Sequence, residues 1–306
     1  MPNVNIIDIL LKIFPAEQAC IDYFEEHRWK GKPISPFDPV SQVYKCANNR
    51  YRCKNTGKYF SARTKTVFEN SKIPLQKSFL AFYLLSSRKK GISSHQLARD
   101  ISITQKSAWF LLNRLRKAFE HPNFQTMLKN VVEIDETFIG GKNKNRHWDK
   151  KVPCSQGRNW KDKTPVLGIL ERGSGRLFTQ VVPNTQQNTL EQIINAQVKK
   201  ESNVYTDEWY RHSRNLPKNF NHQIVNHSAK EYVKGIVSVN SVENRWSHLK
   251  RMIYGTYHWI SKKHTQKYLN EFALRNNTGQ HSDKERFDLV LLSSVGKRLT
   301  YQQLIN

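Results

Sequence analysis

Acidic residues are scarce in this chain: 25 Asp and Glu stand against 50 Lys and Arg in 306 residues, a net charge of +25. Long apolar runs are missing too. No stretch approaches the ~18–20 residues that span a bilayer. The opening MPNVNIIDILLKIFP has no basic n-region, carries Asp8 and lacks a small-residue cleavage site, which argues against a signal peptide. The cytoplasm is the expected location. Cysteine is sparse: Cys20, Cys46, Cys53 and Cys154 form no C-x-x-C pair and no secreted-domain spacing, so reduced thiols are expected. Low-complexity tails and internal repeats are also lacking.

What is present is a foldable chain, 38% hydrophobic and 11% aromatic, long enough for two or three domains. Its cations are spread over the whole length and interleaved with aromatics, as in RNWKDK, WYRHSRN and KRMIYGTYHWISKKH. A sequence pI near 9.9 in that pattern is the footprint of a polyanion partner, nucleic acid above all. A membrane-surface role would need a basic amphipathic helix or a polybasic block beside an anchor, and the sequence shows neither.

The grain changes along the chain. Residues 5–30 read as one or two helices, with Ile6, Ile9, Leu10 and Ile13 apolar and Pro15 opening the second. Prolines 33, 36 and 39 and the alternating run VYKCANNRYRCKNTGKYFS then suggest a hairpin-rich module with turns at ANN and NTG. From Leu75 to about Glu120 the period is helical. LQKSFLAFYLLSSRKK forms one helix; the next stretch divides near Ser102–Ile103 into two, with Ser94 and Thr104 as N-caps. Leu97, Ala98, Ile103, Ala108, Leu111, Leu112 and Leu115 are spaced as a helix-turn-helix core requires. The second helix would present Gln105, Lys106, Ser107 and Arg114 outward to bases and phosphates.

After residue 130 short strands and helices alternate, which predicts an α/β fold on a mixed sheet. ERGSGR is a turn between two of the strands, and residues 142–163 form a basic loop. Three carboxylates share this region: Asp135 ends an apolar run, Asp207 ends NVYTD, and Glu243 lies early in the helix of SVNSVENRWSHLKRMIYG. Clustered carboxylates repel one another, and a divalent cation relieves that; hard oxygen donors select Mg²⁺ or Mn²⁺. Two such ions roughly 3.5–4 Å apart support in-line phosphoryl transfer. The alternation fits Asp135 and Glu136 equally, and Asp207 and Glu208 equally. On the helix, Val239, Val242, Trp246, Leu249 and Ile253 make an apolar stripe. Asn240, Glu243, Ser247 and Lys250 make a polar one, with Lys250 placed to hold a phosphate.

With 35 residues between Asp207 and Glu243, and Lys250 seven beyond, the pattern resembles that of DDE transposases. The wording EIDETFIGGK, VYTDEW, NSVENRWSHLKRMIYGTYHWISKKH and YLNEFALRNN is closest to the ISXO-like bacterial insertion-sequence transposases, the fifteen-ninety-five family, related to eukaryotic Merlin elements. Further matching segments, such as GISSHQLARDISITQKSAWFLLNRLRKA, cover nearly the whole chain in order.

This resemblance implies N-terminal helices with a zinc-ribbon-like module over 1–74, a helix-turn-helix region over 75–125, an RNase-H-like catalytic domain over 126–276 and a C-terminal tail over 277–306. It assigns metal binding to Asp135, Asp207 and Glu243, places Lys250 at the following lysine and Arg251 among the DNA contacts, and keeps Asn240 as an alternative third residue or supporting ligand. Expected partners are double-stranded DNA, as terminal inverted repeats and target, and further copies of the chain in a synaptic complex.

Two departures stand out. The ribbon's ligand positions hold Ser35, Asp38, Cys53 and Thr56, so structural zinc is not expected; Tyr44, Tyr51, Tyr59 and Phe60 should hold the module instead. Ser238 stands where many relatives have His. The same residues also fit a DNA-binding protein without chemistry, or a metal-dependent nuclease of the same fold.

Overall fold

The computed structural model describes residues 12, 14–120, 126–141, 143–153, 163–207, 219–226, 229 and 233–306. Ile6, Ile9, Leu10, Ile13, Cys154, Glu208 and much of the basic loop over 142–163 lie outside them. Two compact units emerge, Met1–Glu120 with His281–Asn306, and His121–Gln280.

In the first unit, α1 (Glu17–Trp29) buries Cys20, Phe24 and Trp29. It is followed by an antiparallel meander of β1 (Val43–Cys46), β2 (Arg50–Cys53) and β3 (Tyr59–Phe60). Asn48 and Asn49, both at positive φ, form the first turn, a conformation asparagine tolerates well. Tyr51 pairs with Phe60 across the meander, and both rings are buried against Trp29, at 5.1 and 6.0 Å between centroids.

The expectation that Tyr44 and Tyr59 share this core is corrected. Strand parity places Tyr44, Arg52 and Tyr59 abreast on the opposite face, where both tyrosines are exposed. There the Arg50 and Arg52 guanidinium groups lie over the Tyr59 ring, at 5.3 and 6.0 Å.

At the ribbon's ligand positions, Ser35 is buried and its Oγ accepts from the Phe37 and Asp38 N–H groups. Cys53 is also buried. Burial raises its thiol, but hydrogen bonds involving Ser35, Ser41 and Thr56 outweigh that and bring it down to about 6. Cys20, Cys46 and Cys53 are free thiols.

Three helices follow: α2 (Leu75–Ser87), α3 (Ser94–Asp100) and α4 (Gln105–Ala118). Glu17 of α1 accepts from the first N–H groups of α2, those of Leu75 and Gln76, supplying the cap that Pro74 cannot. The cap of α3 is Ser93, one residue before the expected Ser94, because its hydroxyl reaches the Gln96 N–H. Thr104 caps α4 through the Ser107 N–H, as expected. The chain turns between these two helices at Ser102, φ 52°.

The second unit is α/β. Its sheet runs β6–β5–β4–β7–β8, from β4 (Val131–Ile139), β5 (Thr164–Glu171), β6 (Leu177–Val181), β7 (Asn203–Asp207) and β8 (Asn221–Val225). The β4–β5 and β5–β6 pairs are antiparallel, while β4–β7 and β7–β8 are parallel. Helix α5 (Gln187–Gln197) carries the chain from the antiparallel half to the parallel half. Each face of the sheet has its own core. Val132 and Ile134 pack with Leu190 and Ile194 of α5. Ile139 and Val166 pack with α6 (Asn240–Met252) and α7 (Thr265–Asn277).

The segment expected as a C-terminal tail holds two further helices, α8 (Asp283–Leu292) and α9 (Tyr301–Ile305), within the first unit. Phe287, Val290 and Leu291 recur at helical spacing and are buried; the Phe287 ring lies 5.5 Å from that of Phe79 on α2. Ser282 and Glu285 close a capping box at the start of α8.

Candidate active site

The alternation of β4 decides which carboxylate faces which layer. Glu133, Asp135, Thr137 and Ile139 share the face that α6 covers, opposite to Val132 and Ile134. Asp135 is therefore buried toward α6, whereas Glu136 belongs to the other parity and is partly exposed. Glu133 pairs with Tyr205 at the last rung of the parallel β4–β7 register, and Asp135 and Asp207 each follow two residues further along their strands. Asp207 is buried at the end of β7.

Helix α6 brings the third carboxylate. Val239, Val242, Trp246, Leu249 and Ile253 are all buried, while Asn240, Glu243 and Lys250 are exposed, as the two stripes predict. The Trp246 indole N–H donates to Asp135 Oδ2 at 2.9 Å, and Glu243 precedes Trp246 by one turn. Gly168, paired with Asp135 across β4–β5, makes room for the indole: a Cβ there would sit 2.3 Å from two of its ring atoms.

The carboxylates share one electrostatic field. Burial, then Glu136, Asp207 and Glu243, push the Asp135 carboxyl up to about 8. Among the described residues, no group of three His, Cys, Asp or Glu side chains is drawn together closely enough to hold a metal ion. The donors nevertheless fit a hard divalent cation: they are carboxylate oxygens whose mutual repulsion a positive charge would lift.

Two residues that the sequence did not single out frame this site. Glu133, fully buried, accepts from Arg172 Nε at 2.6 Å and from the Val242 N–H at 2.9 Å. It thus caps α6, whose N-cap residue Val239 offers no side-chain acceptor. Arg172 donates in addition to the Ile236 and Ser238 carbonyls and to Ser238 Oγ, and it stacks over Tyr205 at 5.2 Å. Ser238, noted in the sequence as a departure from the family resemblance, is thereby a partner of this arginine. Alternation fits either parity of this run and so did not mark Glu133, and its partner, 39 residues away in a turn, gave no local signal.

The expected DNA-contact residues divide. Thr104, Gln105 and Lys106 are exposed at the start of α4, and Ser107 is half-buried. Gln105 Nε2 donates to Ser94 Oγ at 2.8 Å, and the Lys106 ammonium lies 5.6 Å from the Tyr301 ring centre. Arg114 is a correction: rather than facing outward it is buried, donates to the Glu69 carbonyl and lies over Phe110. Its position one turn from Leu111 and next to Leu115 puts it on the packed side of α4. Arg251, near the end of α6, is exposed and donates back to the Ser247 carbonyl. No helix among the described residues is long and apolar enough to cross a membrane.

Residues 127–277, nearly the whole of the second unit, match the ISXO2-like transposase domain. Over 297 residues, 93% of its own length and 99% of the relative's, the chain is 27% identical to an uncharacterized protein in transposable element ISH50 of Halobacterium salinarum. It is 34% identical over 105 residues to an uncharacterized transposase-like protein of Haemophilus influenzae, covering 84% of that protein. The α/β unit with its strand-end carboxylates is thus a transposase domain. The chain belongs to the ISXO2-like family of insertion-sequence transposases.

Proposed function

We propose that this transposase cleaves the ends of its element and joins them to target DNA through a DDE site formed by Asp135, Asp207 and Glu243. The observation that supports the reading is the shared field of the carboxylates: Asp135 and Asp207, both buried on the parallel strands β4 and β7, act on each other's charge, and Glu243 acts on Asp135 as well. The sheet order, with its antiparallel β6–β5–β4 half and parallel β4–β7–β8 half, supports an RNase-H-like catalytic domain.

The three carboxylates would hold Mg²⁺ or Mn²⁺, which when bound supplies an activated water or 3′-hydroxyl and stabilises the leaving oxygen. The remaining roles belong to the chain itself. Trp246 holds Asp135 in place, and Glu133 with Arg172 fixes the start of α6, so that Glu243 and Asn240 are presented at the strand ends. Asn240 serves as a supporting ligand or as the alternative third residue. Lys250, two turns beyond Glu243, binds a phosphate of the reacting strand, with Arg251 beside it. Thr104, Gln105, Lys106 and Ser107 bind the terminal inverted repeats, and copies of the chain assemble two ends into a synaptic complex. The three-stranded meander acts as a degenerate zinc ribbon without zinc, since two hydroxyls, one carboxylate and a single thiol occupy the ligand positions.

The test uses purified full-length protein, labelled element ends and Mg²⁺, reading cleavage and joining separately. Asp135→Ala should bind ends as the wild type does and neither cut nor join. Full strand transfer by that variant would overturn the assignment.

A further inference from the structure

Beyond Met252, α6 widens into a π-helical turn, Ile253–Tyr257, a geometry found frequently at functional sites. The chain then reverses at His258, φ 60° and ψ −47°, where the Trp259 N–H donates to the Tyr257 carbonyl at 2.6 Å. Three-residue turns with positive φ at their centre are rare and strained. This reversal leaves Trp259 71% exposed and Tyr254 59% exposed, although Ile253 and Ile260 beside them are buried. Both rings border a small hollow with Lys250 and with Phe138–Gly141, where β4 ends, beginning three residues past Asp135. Lys262 and Lys263 follow directly and are exposed.

We propose that Tyr254 and Trp259 form a stacking platform for one unpaired nucleobase at the DNA strand end that the acidic site processes. The proposal rests on the DNA-processing reading above and gives it a second point of contact. An exposed indole and phenol offer flat faces that any base can stack on, and neighbouring ammonium groups suit the flanking phosphates. The same cations, set within and beside the rings, disfavour a dry apolar protein contact. The hollow is small, about 50 Å³, so the base lies on the rings rather than inside it.

The test compares full-length protein on two duplexes, one blunt and one with a short unpaired 3′ end carrying 2-aminopurine. Wild type should prefer the tailed duplex and change the 2-aminopurine emission. Trp259→Ala should weaken tailed binding about tenfold, leave blunt binding unchanged and abolish the emission change. Trp259→Phe, which keeps a ring, should restore most of the preference, and Tyr254→Ala should show a smaller loss in the same direction. Equal loss on both duplexes, or no loss, overturns the platform. A change in sedimentation with tailed affinity intact overturns it in favour of a contact between copies. Wild-type protein that prefers the tailed duplex yet never cleaves element ends would retain the platform and reject the catalytic reading; binding to neither duplex would reject both.

Discussion

The three-stranded meander and the five-stranded sheet each carry a place where the family resemblance puts metal ligands, and they treat it in opposite ways. In the meander, Ser35, Asp38, Cys53 and Thr56 occupy the ligand positions. The serine hydroxyl is consumed by the Phe37 and Asp38 N–H groups, and the Cys53 thiol is hydrogen-bonded by its hydroxyl neighbours. The Trp29, Tyr51 and Phe60 rings supply the packing. In the large sheet the carboxylates are kept where burial and like charges hold Asp135 at about 8, a cost that packing alone does not repay. On the reading proposed above, rings and hydroxyls stand in for a metal in the meander, whereas the acidic site keeps its carboxylates at the expense of stability.

The largest way to disturb this contrast is through the frame of the large sheet. Arg172→Leu would leave Glu133 buried without its cation and should destabilise the second unit by about 3–5 kcal/mol, read in denaturant unfolding. Gly168→Ala forces a methyl against the Trp246 ring and should cost about 1–3 kcal/mol, with a change in tryptophan emission as the indole shifts.

A subtler effect belongs to Asp135. In metal-free protein its folded-state value is about 8, against about 4 in an unfolded chain. Between those values the folded state holds more protons, so the metal-free melting temperature should fall as pH rises through that window and level off above it. Asp135→Asn should flatten the slope, and Mg²⁺ should recover the loss at the upper end. An unchanged slope in the variant would assign the effect to other groups.

The smallest effects are expected in the meander. Cys53→Ala should cost about 1 kcal/mol, and a strong chelator should leave the first unit's unfolding unchanged. Chelator-induced unfolding of that unit would mean that a metal holds the ribbon after all. Tyr59→Ala, on the exposed face, should fall within about 0.5 kcal/mol.

Much of this architecture was legible locally. The stripes of SVENRWSHLKRMI report the faces of one helix, and the structure follows them. Thr104 as a cap was equally readable, because the N–H that donates to it lies three residues away. Illegible features depended on partners distant in sequence. Phe287 sits in the segment expected as a C-terminal tail, and its packing becomes visible only when α2 offers it Phe79. Arg114 looks solvent-directed until the Glu69 carbonyl receives it. Residue type suits Tyr44 and Tyr59 to holding the module, whereas pairing register puts them on its exposed face. At the site, periodicity left Asp135 and Glu136 level. The family motif chose Asp135, and strand parity places that residue on the face covered by α6.

The most direct measurement of the central claim is Mn²⁺ binding to the full-length protein, followed by calorimetry or by the metal's spin resonance. Wild type should bind the ion. Asp135→Asn and Asp207→Asn should each weaken it at least about tenfold while their circular dichroism stays native. Wild-type Mn²⁺ affinity in either correctly folded variant would contradict the account.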